Sequence, residues 1–260
     1  METSSRAAAT PGLLDGQCAV VTGGSRGIGR AIAHAFAAAG ADVVIASRKV
    51  EACRVVAAEI QSATGRRAAA VACHVGRWDE CDQLHEEVYS QFGRCDVLVN
   101  NAGMSPLYPD LLSVSEDYYD KVSAVNLKGP FRLGALFGTS MAAGSGGAII
   151  NVSTVGSLRP GAHELVYACA KAGLNALTIG LADAFGPKVR VNAILPGAVL
   201  TDIADGWPDE YKSAAASNPL ARAGVPEDFV GAAMFFATSA SAWITGSLLR
   251  VDGGLCRQTS

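Results

Sequence analysis

Tyr167 and Lys171 stand four residues apart in a stretch of good helix formers, and they form the most chemically suggestive pair in the sequence. On a helix this spacing places both side chains on one face, one turn apart. A free tyrosine has a pKa of about 10, and a fixed ammonium group beside it would stabilise the phenolate and lower that pKa. Such a pair could transfer a proton near neutral pH. An ordinary helix with one exposed lysine and one half-buried tyrosine would explain the pentapeptide as well.

A glycine-rich segment near the start of the chain has the pattern Thr22-Gly-x-x-x-Gly27-x-Gly29. The apolar run 18–22 before it predicts a strand, and apolar residues at every fourth position after it predict a helix that ends near Gly40. Glycines at such a turn allow positive φ angles and let the N–H groups of a helix N-terminus approach a pyrophosphate. The context therefore favours nucleotide binding over a plain tight turn.

The second predicted strand ends at Ser47-Arg48-Lys49 and carries no carboxylate there. Sites specific for NAD place an aspartate or glutamate at this point to bind the ribose 2′-hydroxyl, whereas an arginine accommodates the 2′-phosphate of NADP. Arg26 in the glycine turn adds a cation near the same corner. The joint placement of these cations predicts that NADP(H) is preferred, with NAD(H) as the alternative. Each cation taken alone would be a solvated surface charge.

Apolar strands alternate with amphipathic helices along the rest of the chain, and these elements must position the residues above. The strands carry continuous apolar runs, which is typical of strands buried on both faces. The alternation predicts βαβ units and an α/β fold with a doubly wound parallel sheet of the Rossmann type. The predicted strands lie near residues 18–22, 41–46, 68–73, 96–100, 148–152, 189–195 and 248–251, and the helices lie between them.

Length and composition predict one domain. A chain of 260 residues, half of them hydrophobic, can bury a single large core. Residues 1–12 contain no long apolar stretch and are expected to form a flexible leader before a domain that spans residues 13–260. The polar segment 201–218, which contains Trp207, interrupts the alternation. We expect it to form a lid over the site, with a disordered surface loop as the alternative.

Charge and cysteine content narrow the class of partner to a small molecule. A formal net charge of −3, from 21 basic and 24 acidic residues mixed along the chain, leaves no basic block for nucleic acid and no polybasic membrane anchor. No apolar run approaches the length that spans a bilayer. The seven cysteines form no C-x-x-C pair and suit reduced, buried thiols in the cytoplasm. Cys73 and His74 have no further ligands at a suitable spacing, so no metal site is predicted.

Several motifs together resemble the short-chain dehydrogenase/reductase family, over about residues 14–254. They occur in the same order as in the family: Thr22-Gly-Gly-Ser-Arg-Gly-Ile-Gly29, Asn100-Asn-Ala-Gly103, Val125-Asn126, Tyr167-x-x-x-Lys171, Pro196-Gly197 with Thr201, and Ile244-Thr-Gly246 with Val251-Asp-Gly-Gly254. The resemblance implies a seven-stranded parallel sheet, a nicotinamide cofactor, and hydride exchange between a carbonyl and an alcohol. It also implies a homotetramer, formed through the long helix near residues 118–141, the helix that carries Tyr167, and the last strand.

The resemblance implies a catalytic role for four side chains. Tyr167 would donate and accept the proton, Lys171 would lower its pKa and hold the nicotinamide ribose, and Asn126 would anchor a water in a proton relay. The family has a serine thirteen positions before the tyrosine, where this chain has Thr154. Because successive side chains of a strand point to opposite faces, Thr154 and Ser153 should not share this task. We expect Thr154 to supply the hydroxyl, with Ser153 as the alternative.

The resemblance also implies the cofactor contacts. The family aspartate that meets the adenine amino group is replaced here by His74, and a neutral imidazole accepts through one nitrogen only. The backbone of Val75 is expected to take over. Together with the patterns above, the expected contact residues are Gly23, Ser25, Gly27, Ile28 and Gly29 for the pyrophosphate, Arg26, Ser47, Arg48 and Lys49 for the 2′-phosphate, His74 and Val75 for adenine, Asn101, Ala102 and Gly103 beneath the adenosine ribose, Tyr167 and Lys171 at the nicotinamide, and Pro196, Gly197, Val199 and Thr201 for its carboxamide.

The expected substrate is a hydrophobic carbonyl compound or secondary alcohol. The residues predicted to contact it are Thr154 and Tyr167 at the reacting oxygen and Met104, Leu107, Leu158 and Trp207 in the walls. A narrower alternative is reduction of a 3-oxoacyl thioester of CoA or acyl-carrier protein. An alternative of another class is a catalytically silent, NADP-binding regulatory protein, and the four retained catalytic side chains argue against it.

Overall fold

The fold was analysed in a computed structural model, which describes residues 12–200 and 217–256. Nearly all of the predicted leader and lid, including Thr201 and Trp207, lies outside these residues. Seven strands form one sheet in the order β3-β2-β1-β4-β5-β6-β7, and every neighbouring pair is parallel. The predicted α/β architecture and its seven-stranded parallel sheet are therefore confirmed. The strands are β1 (Cys18–Thr22), β2 (Asp42–Ser47), β3 (Ala68–Ala72), β4 (Val97–Asn100), β5 (Gly147–Val152), β6 (Val189–Pro196) and β7 (Leu248–Val251).

Helices connect the strands and cover both faces of the sheet. Two of them end where a glycine adopts a left-handed conformation, at Gly65 with φ 69° and at Gly93 with φ 70°. The long predicted helix near residues 118–141 contains a π-helical turn, Ala124–Lys128, that joins two α-helices. The helices are α1 (Gly27–Ala38), α2 (Val50–Thr64), α3 (Trp78–Phe92), α4 (Glu116–Ser123), α5 (Gly129–Ala143), α6 (Leu165–Phe185) and α7 (Val230–Ala237).

The sheet separates two hydrophobic cores. Val21 of β1 points into the core that contains Phe36 of α1, whereas the preceding Val20 points into the core that contains Phe137 of α5. Each large side chain that is fully buried in this way contributes about 1.5–3 kcal/mol. A strand between two cores needs apolar residues on both faces, and this requirement explains the continuous apolar runs in the sequence.

Helix α6 corrects one expectation about membranes. By length and composition alone, the segment Ala162–Phe185 could cross a bilayer, although no such run was expected. In the fold this helix packs against β6 and α5. Leu174 and Leu181 are buried in these contacts. It therefore has the position of a core helix, and it carries Tyr167 and Lys171.

The strand order reverses direction between β1 and β4, and this reversal creates a crevice at the carboxyl ends of the strands. Chain connections leave β1 toward one edge of the sheet and β4 toward the other. Ligands of open α/β sheets bind in the crevice at such a switch point. The glycine turn after β1 and the segment 101–104 after β4 both lie there, so the topology brings together two motifs that are about 80 residues apart in the chain.

Candidate active site

Thr22 and Asn101 join the ends of β1 and β4 and form the floor of the crevice. The Thr22 hydroxyl donates to the Val99 carbonyl and accepts from the N–H groups of Asn101 and Ala102, each at 3.1 Å. The side-chain nitrogen of Asn101, Nδ2, donates to the carbonyl oxygens of Thr22, at 2.9 Å, and Gly23, at 3.1 Å. These bonds fix the glycine turn against the loop that follows β4.

The glycine turn fits a bound pyrophosphate. Gly23 has φ 64°, in the left-handed region that favours glycine. Gly29 has no room for a side chain, because an added Cβ atom would lie 2.4 Å from the Asn101 side-chain nitrogen and 2.5 Å from the Gly23 carbonyl oxygen. Helix α1 begins immediately afterwards, with no side-chain cap from Arg26 and no acidic residue in its first turn. Its first N–H groups therefore suit an anion. Of the other predicted contacts in this turn, Ser25 and Gly27 are partly buried and Ile28 packs against the core.

Cations gather at the end of β2, where the 2′-phosphate contact was predicted. Arg26, Arg48 and Lys49 are all exposed. The Ser47 hydroxyl donates to the Lys49 carbonyl at 3.3 Å and so tightens the turn that presents the cations. The carboxylate of nearby Glu51 is paired with Arg54. Arg48 and Lys49 therefore present two exposed cations at the end of β2.

His74 and Val75 follow β3, but neither presents the acceptor expected for an adenine amino group. His74 Nδ1 accepts a hydrogen bond from the Gly76 N–H at 3.1 Å. A neutral ring must then carry its proton on Nε2 and act as a donor there. The Val75 carbonyl points into the protein. Its oxygen accepts from the Cys81 thiol at 3.3 Å and lies close to Gly129, where an added Cβ atom would be only 2.3 Å away.

Asn126 is buried in the π-helical turn and holds the loop after β4. Its side-chain nitrogen donates to the carbonyl oxygens of Met104, at 2.8 Å, and Val122, at 2.9 Å, and its oxygen accepts from the Met104 N–H at 3.3 Å. A Cβ on Gly103 would lie 3.1 Å from Asn126 Oδ1 and 3.7 Å from Lys171 Nζ. Asn126 and Lys171 thus meet at Gly103, although 45 residues separate them in the chain. π-Helical turns of this kind are frequent at functional sites.

Lys171 is buried beneath the candidate site. Its Nζ donates to the Val152 carbonyl at 2.7 Å and lies 5.8 Å from the centroid of the Tyr167 ring. Burial disfavours the charged ammonium and lowers the pKa of Lys171 from 10.5 to about 7. Helix α6 therefore brings the two side chains together as the spacing predicts.

The pKa of Tyr167 differs from the sequence-based expectation. Burial, and then the negative charge of Glu164, raise this pKa above its ordinary value of 10, whereas a hydrogen bond from the Thr154 hydroxyl opposes the rise. Lys171 does not reverse the rise, and burial favours the neutral form of its own amine. The protein groups thus favour the neutral phenol.

The hydroxyls of Thr154 and Ser153 point in different directions. Thr154 follows β5, its hydroxyl accepts from the Gly156 N–H at 3.1 Å, and it is near enough to Tyr167 to lower the pKa of the phenol. Ser153 is buried and donates to the Lys171 carbonyl at 3.2 Å. The geometry brings Thr154, the preferred residue, to the phenol and turns Ser153 into the protein.

The loop after β6 is fixed against the end of β7. The Gly197 N–H donates to the Val251 carbonyl at 3.1 Å, and a Cβ on Gly197 would lie 2.9 Å from the Asp252 Cα. Val199 is buried and forms a parallel bridge with Gly224. Pro196 ends β6, so the predicted carboxamide-binding residues that the structure describes lie at the same sheet edge as Thr154. On the substrate side, Met104 is partly buried, while Leu107 and Leu158 are exposed.

Two polar side chains on helix α6 and its entry were missed by the sequence analysis. Glu164 precedes Tyr167 by three residues and acts on its pKa. Asn175 follows Lys171 by four residues, and its amide donates at 2.8 Å to the Ser157 hydroxyl, which in turn donates to the Thr154 carbonyl. Glu164 lies three residues before Tyr167 and Asn175 four residues after Lys171, so both lie on the helix face of this pair, and that spacing could have identified them.

Comparison with known proteins assigns the chain to an enzyme class. A family model described as enoyl-(acyl carrier protein) reductase matches residues 23–256. Together with the parallel fold and the Tyr167–Lys171 arrangement, this match identifies the chain as a member of the short-chain dehydrogenase/reductase family. It is an oxidoreductase of the class that acts on alcohol and carbonyl groups.

The names of individual relatives indicate different substrates. The chain is 36% identical to the 3-oxoacyl-[acyl-carrier-protein] reductase FabG of Chlamydia muridarum, over 94% of this chain and 98% of the relative. It is 34% identical to the 7alpha-hydroxysteroid dehydrogenase of Escherichia coli, over 93% and 94%. A Beutenbergia cavernae structure, provisionally described as an NAD(P)-dependent gluconate 5-dehydrogenase with NADP bound at low occupancy, has a TM-score of 0.89 and 37% identity and covers 95% of this chain and 99% of its own.

Proposed function

We propose that this protein transfers a hydride between NADP(H) and a carbonyl or secondary alcohol, with Tyr167 as the general acid and base. The observation that carries the proposal is the position of Tyr167, whose ring centroid lies 5.8 Å from the buried amine of Lys171 and whose phenol is within the influence of the Thr154 hydroxyl. A hydrogen-bond donor and a proton carrier are thereby aimed at one place, where a substrate oxygen can lie.

The proposed roles follow from the groups that each atom can offer. Thr154 holds the substrate oxygen by donating its hydroxyl hydrogen, and Tyr167 gives its proton to that oxygen in reduction or removes it in oxidation. When bound, the nicotinamide supplies or accepts the hydride and, when oxidised, adds a positive charge that favours the phenolate. Lys171 holds the nicotinamide ribose through its amine. Asn126 keeps the π-helical turn and Met104 in place and anchors a water that links Lys171 to solvent.

Replacement of the phenol hydroxyl tests this function. Tyr167→Phe should lower kcat by about 10²–10⁴-fold, because it removes the proton carrier and keeps the ring. The assay is a panel of ketones and secondary alcohols followed by NADPH absorbance. Tyr119→Phe, at an exposed tyrosine of α4, is the matched control and should keep full activity. Tight NADPH binding with no turnover on the whole panel would favour a silent regulatory protein.

The proposed preference for NADP(H) is supported by the cations after β2 and in the glycine turn. Arg48→Ala should weaken NADPH binding by about tenfold and leave NADH binding nearly unchanged, because only NADPH carries the 2′-phosphate. Arg54→Ala is the control, since Arg54 lies in helix α2, just beyond the turn that carries Arg48, and pairs with Glu51. A wild-type kcat/KM with NADH that equals the value with NADPH would contradict the preference.

Reduction of a 3-oxoacyl thioester is the second candidate, and the resemblance to FabG over nearly the full length of both chains favours it. Acetoacetyl-CoA is the direct probe. A kcat/KM for this thioester well above that for simple ketones would support the candidate, and no measurable turnover would remove it.

We also propose a cytoplasmic homotetramer. Its support is a set of exposed apolar side chains on the elements that the family resemblance assigns to subunit contacts: Phe131 on α5, Ile179 on α6, Trp243 before β7, and Leu249 on β7. The seven free cysteines suit a reducing compartment. Sedimentation equilibrium should give the mass of four chains, and Trp243→Glu should lower it.

A further inference from the structure

A carboxylate borders the candidate active site, and the proposed proton transfer does not use it. A Cβ atom built on Gly156 would lie 2.8 Å from Glu164 Oε1 and 3.5 Å from Thr154 Oγ1. Both oxygens therefore border the same small space over the Gly156 backbone. The charge of Glu164 is also near enough to Tyr167 to act on its phenol.

The turn that carries Glu164 is held firmly by a buried tyrosine. The Tyr108 hydroxyl donates to the Ala162 carbonyl at 2.9 Å and accepts from the Leu165 N–H at 2.8 Å. These two bonds fix the backbone on both sides of Glu164. The carboxylate is therefore held by a rigid part of the site.

The carboxylate has acceptor capacity to spare. Within residues 12–200 and 217–256, the backbone of Gly161 lowers the pKa of this carboxylate, which forms no ion pair with lysine or arginine. An ionised carboxylate has about four acceptor sites, and partial burial makes unfilled sites costly. Burial accordingly raises the pKa of Glu164. A ligand that donates a hydrogen bond would relieve this cost.

We propose that Glu164 is a substrate-binding residue that accepts a hydrogen bond from a hydroxyl or amino group on the carbon next to the reacting carbon. The inference rests on the proposed function, because it takes Thr154 and Tyr167 as the groups that hold the reacting oxygen. The substrates it selects are hydroxy ketones, vicinal diols and their amino analogues. Apolar walls at Leu107 and Leu158 leave the remainder of the substrate free to be hydrophobic.

Two matched ketones test this role. 2-Hydroxyacetophenone and 2-methoxyacetophenone share a ring and a carbonyl, but only the first can donate a hydrogen bond to Glu164. The wild-type kcat/KM should favour the hydroxy ketone by about tenfold or more, the range of a hydrogen bond to a charged group. Glu164→Leu should remove this preference and keep turnover of the methoxy ketone. Glu164→Gln should retain part of the preference, because its amide oxygen still accepts.

Glu86→Leu, at an exposed glutamate of α3, is the control and should keep the wild-type preference. Equal preference in the wild type and the Glu164 variants would overturn the inference. If no ketone is turned over, the proposed function fails. The inference is then judged from the dissociation constants of the two ketones, measured by NMR on the NADPH-loaded protein. A preference for binding the hydroxy ketone that falls in Glu164→Gln or Glu164→Leu supports the inference, and an unchanged preference overturns it.

Discussion

Lys171 donates a hydrogen bond from its buried amine to the carbonyl oxygen of Val152, 2.7 Å away at the end of β5. This bond links the helix that carries the candidate acid and base to the strand that presents Thr154. It therefore sets the position of Lys171 relative to Tyr167 before any ligand binds. The amine has lost most of its solvation, and this burial has a measurable consequence for stability.

Lys171→Met should abolish turnover and change how stability depends on pH. The pKa of Lys171 is lowered to about 7 from 10.5, so the unfolded chain binds more protons than the folded chain between these values. The free energy of unfolding of the wild type should therefore rise with pH across this window, and methionine removes that contribution. The variant should gain stability relative to the wild type at pH 6 and lose this advantage as the pH approaches 10.

Urea unfolding at both pH values measures the difference. Lys188→Met is a suitable control, because this exposed lysine also donates to a backbone carbonyl, that of Gly144. Parallel pH profiles for wild type and Lys171→Met would show that burial does not depress the pKa of the amine.

Thr154→Ala and Ser153→Ala should have different effects. Loss of the Thr154 hydroxyl removes the donor beside Tyr167 and should lower kcat by about 10²–10³-fold. Loss of the Ser153 hydroxyl removes its bond to the Lys171 carbonyl and should cost about 1 kcal/mol of stability with a small effect on kcat. Steady-state kinetics and thermal unfolding separate the two. A larger kinetic loss in Ser153→Ala would reverse the assignment.

Glu164→Gln should shift the pH profile of alcohol oxidation. The carboxylate raises the pKa of the Tyr167 phenol, so its neutralisation should lower that pKa and make the phenolate available at lower pH. The acidic limb of kcat/KM should therefore move to lower pH, measured with a mono-alcohol that lacks a second hydroxyl. Glu86→Gln should leave the limb unmoved. A shift to higher pH would contradict this electrostatic relationship.

Gly29→Ala should impair cofactor binding. The new methyl would lie 2.4 Å from the Asn101 side-chain nitrogen and would push the glycine turn away from the loop after β4. Overpacking of this kind typically costs about 1–3 kcal/mol, and NADPH affinity should fall by at least about tenfold. Calorimetric titration measures it. Gly231→Ala, in α7 with no atom within 4 Å of the new methyl, should keep wild-type affinity.

Much of the fold could be predicted from the sequence because buried parallel strands leave a strong local signal. The apolar run at β1 and the run at β7 predicted strands with the bounds that the structure has. The π-helical turn around Asn126 could not be predicted, because its residues are compatible with an ordinary α-helix. Asn126 in this turn bonds to Val122, one helical turn earlier, and to Met104, which only the folded chain brings near.

The sequence alone determined the alternation of strands and helices, the glycine turn, and the pairing of Tyr167 with Lys171, since each depends on residues that are near one another in the chain. The tertiary structure decided which hydroxyl meets Tyr167, because the direction of Thr154 depends on how β5 ends beside α6. It also decided the sign of the Tyr167 pKa shift. Burial of the phenol and the nearby charge of Glu164 set that sign, and a chain has neither until it folds.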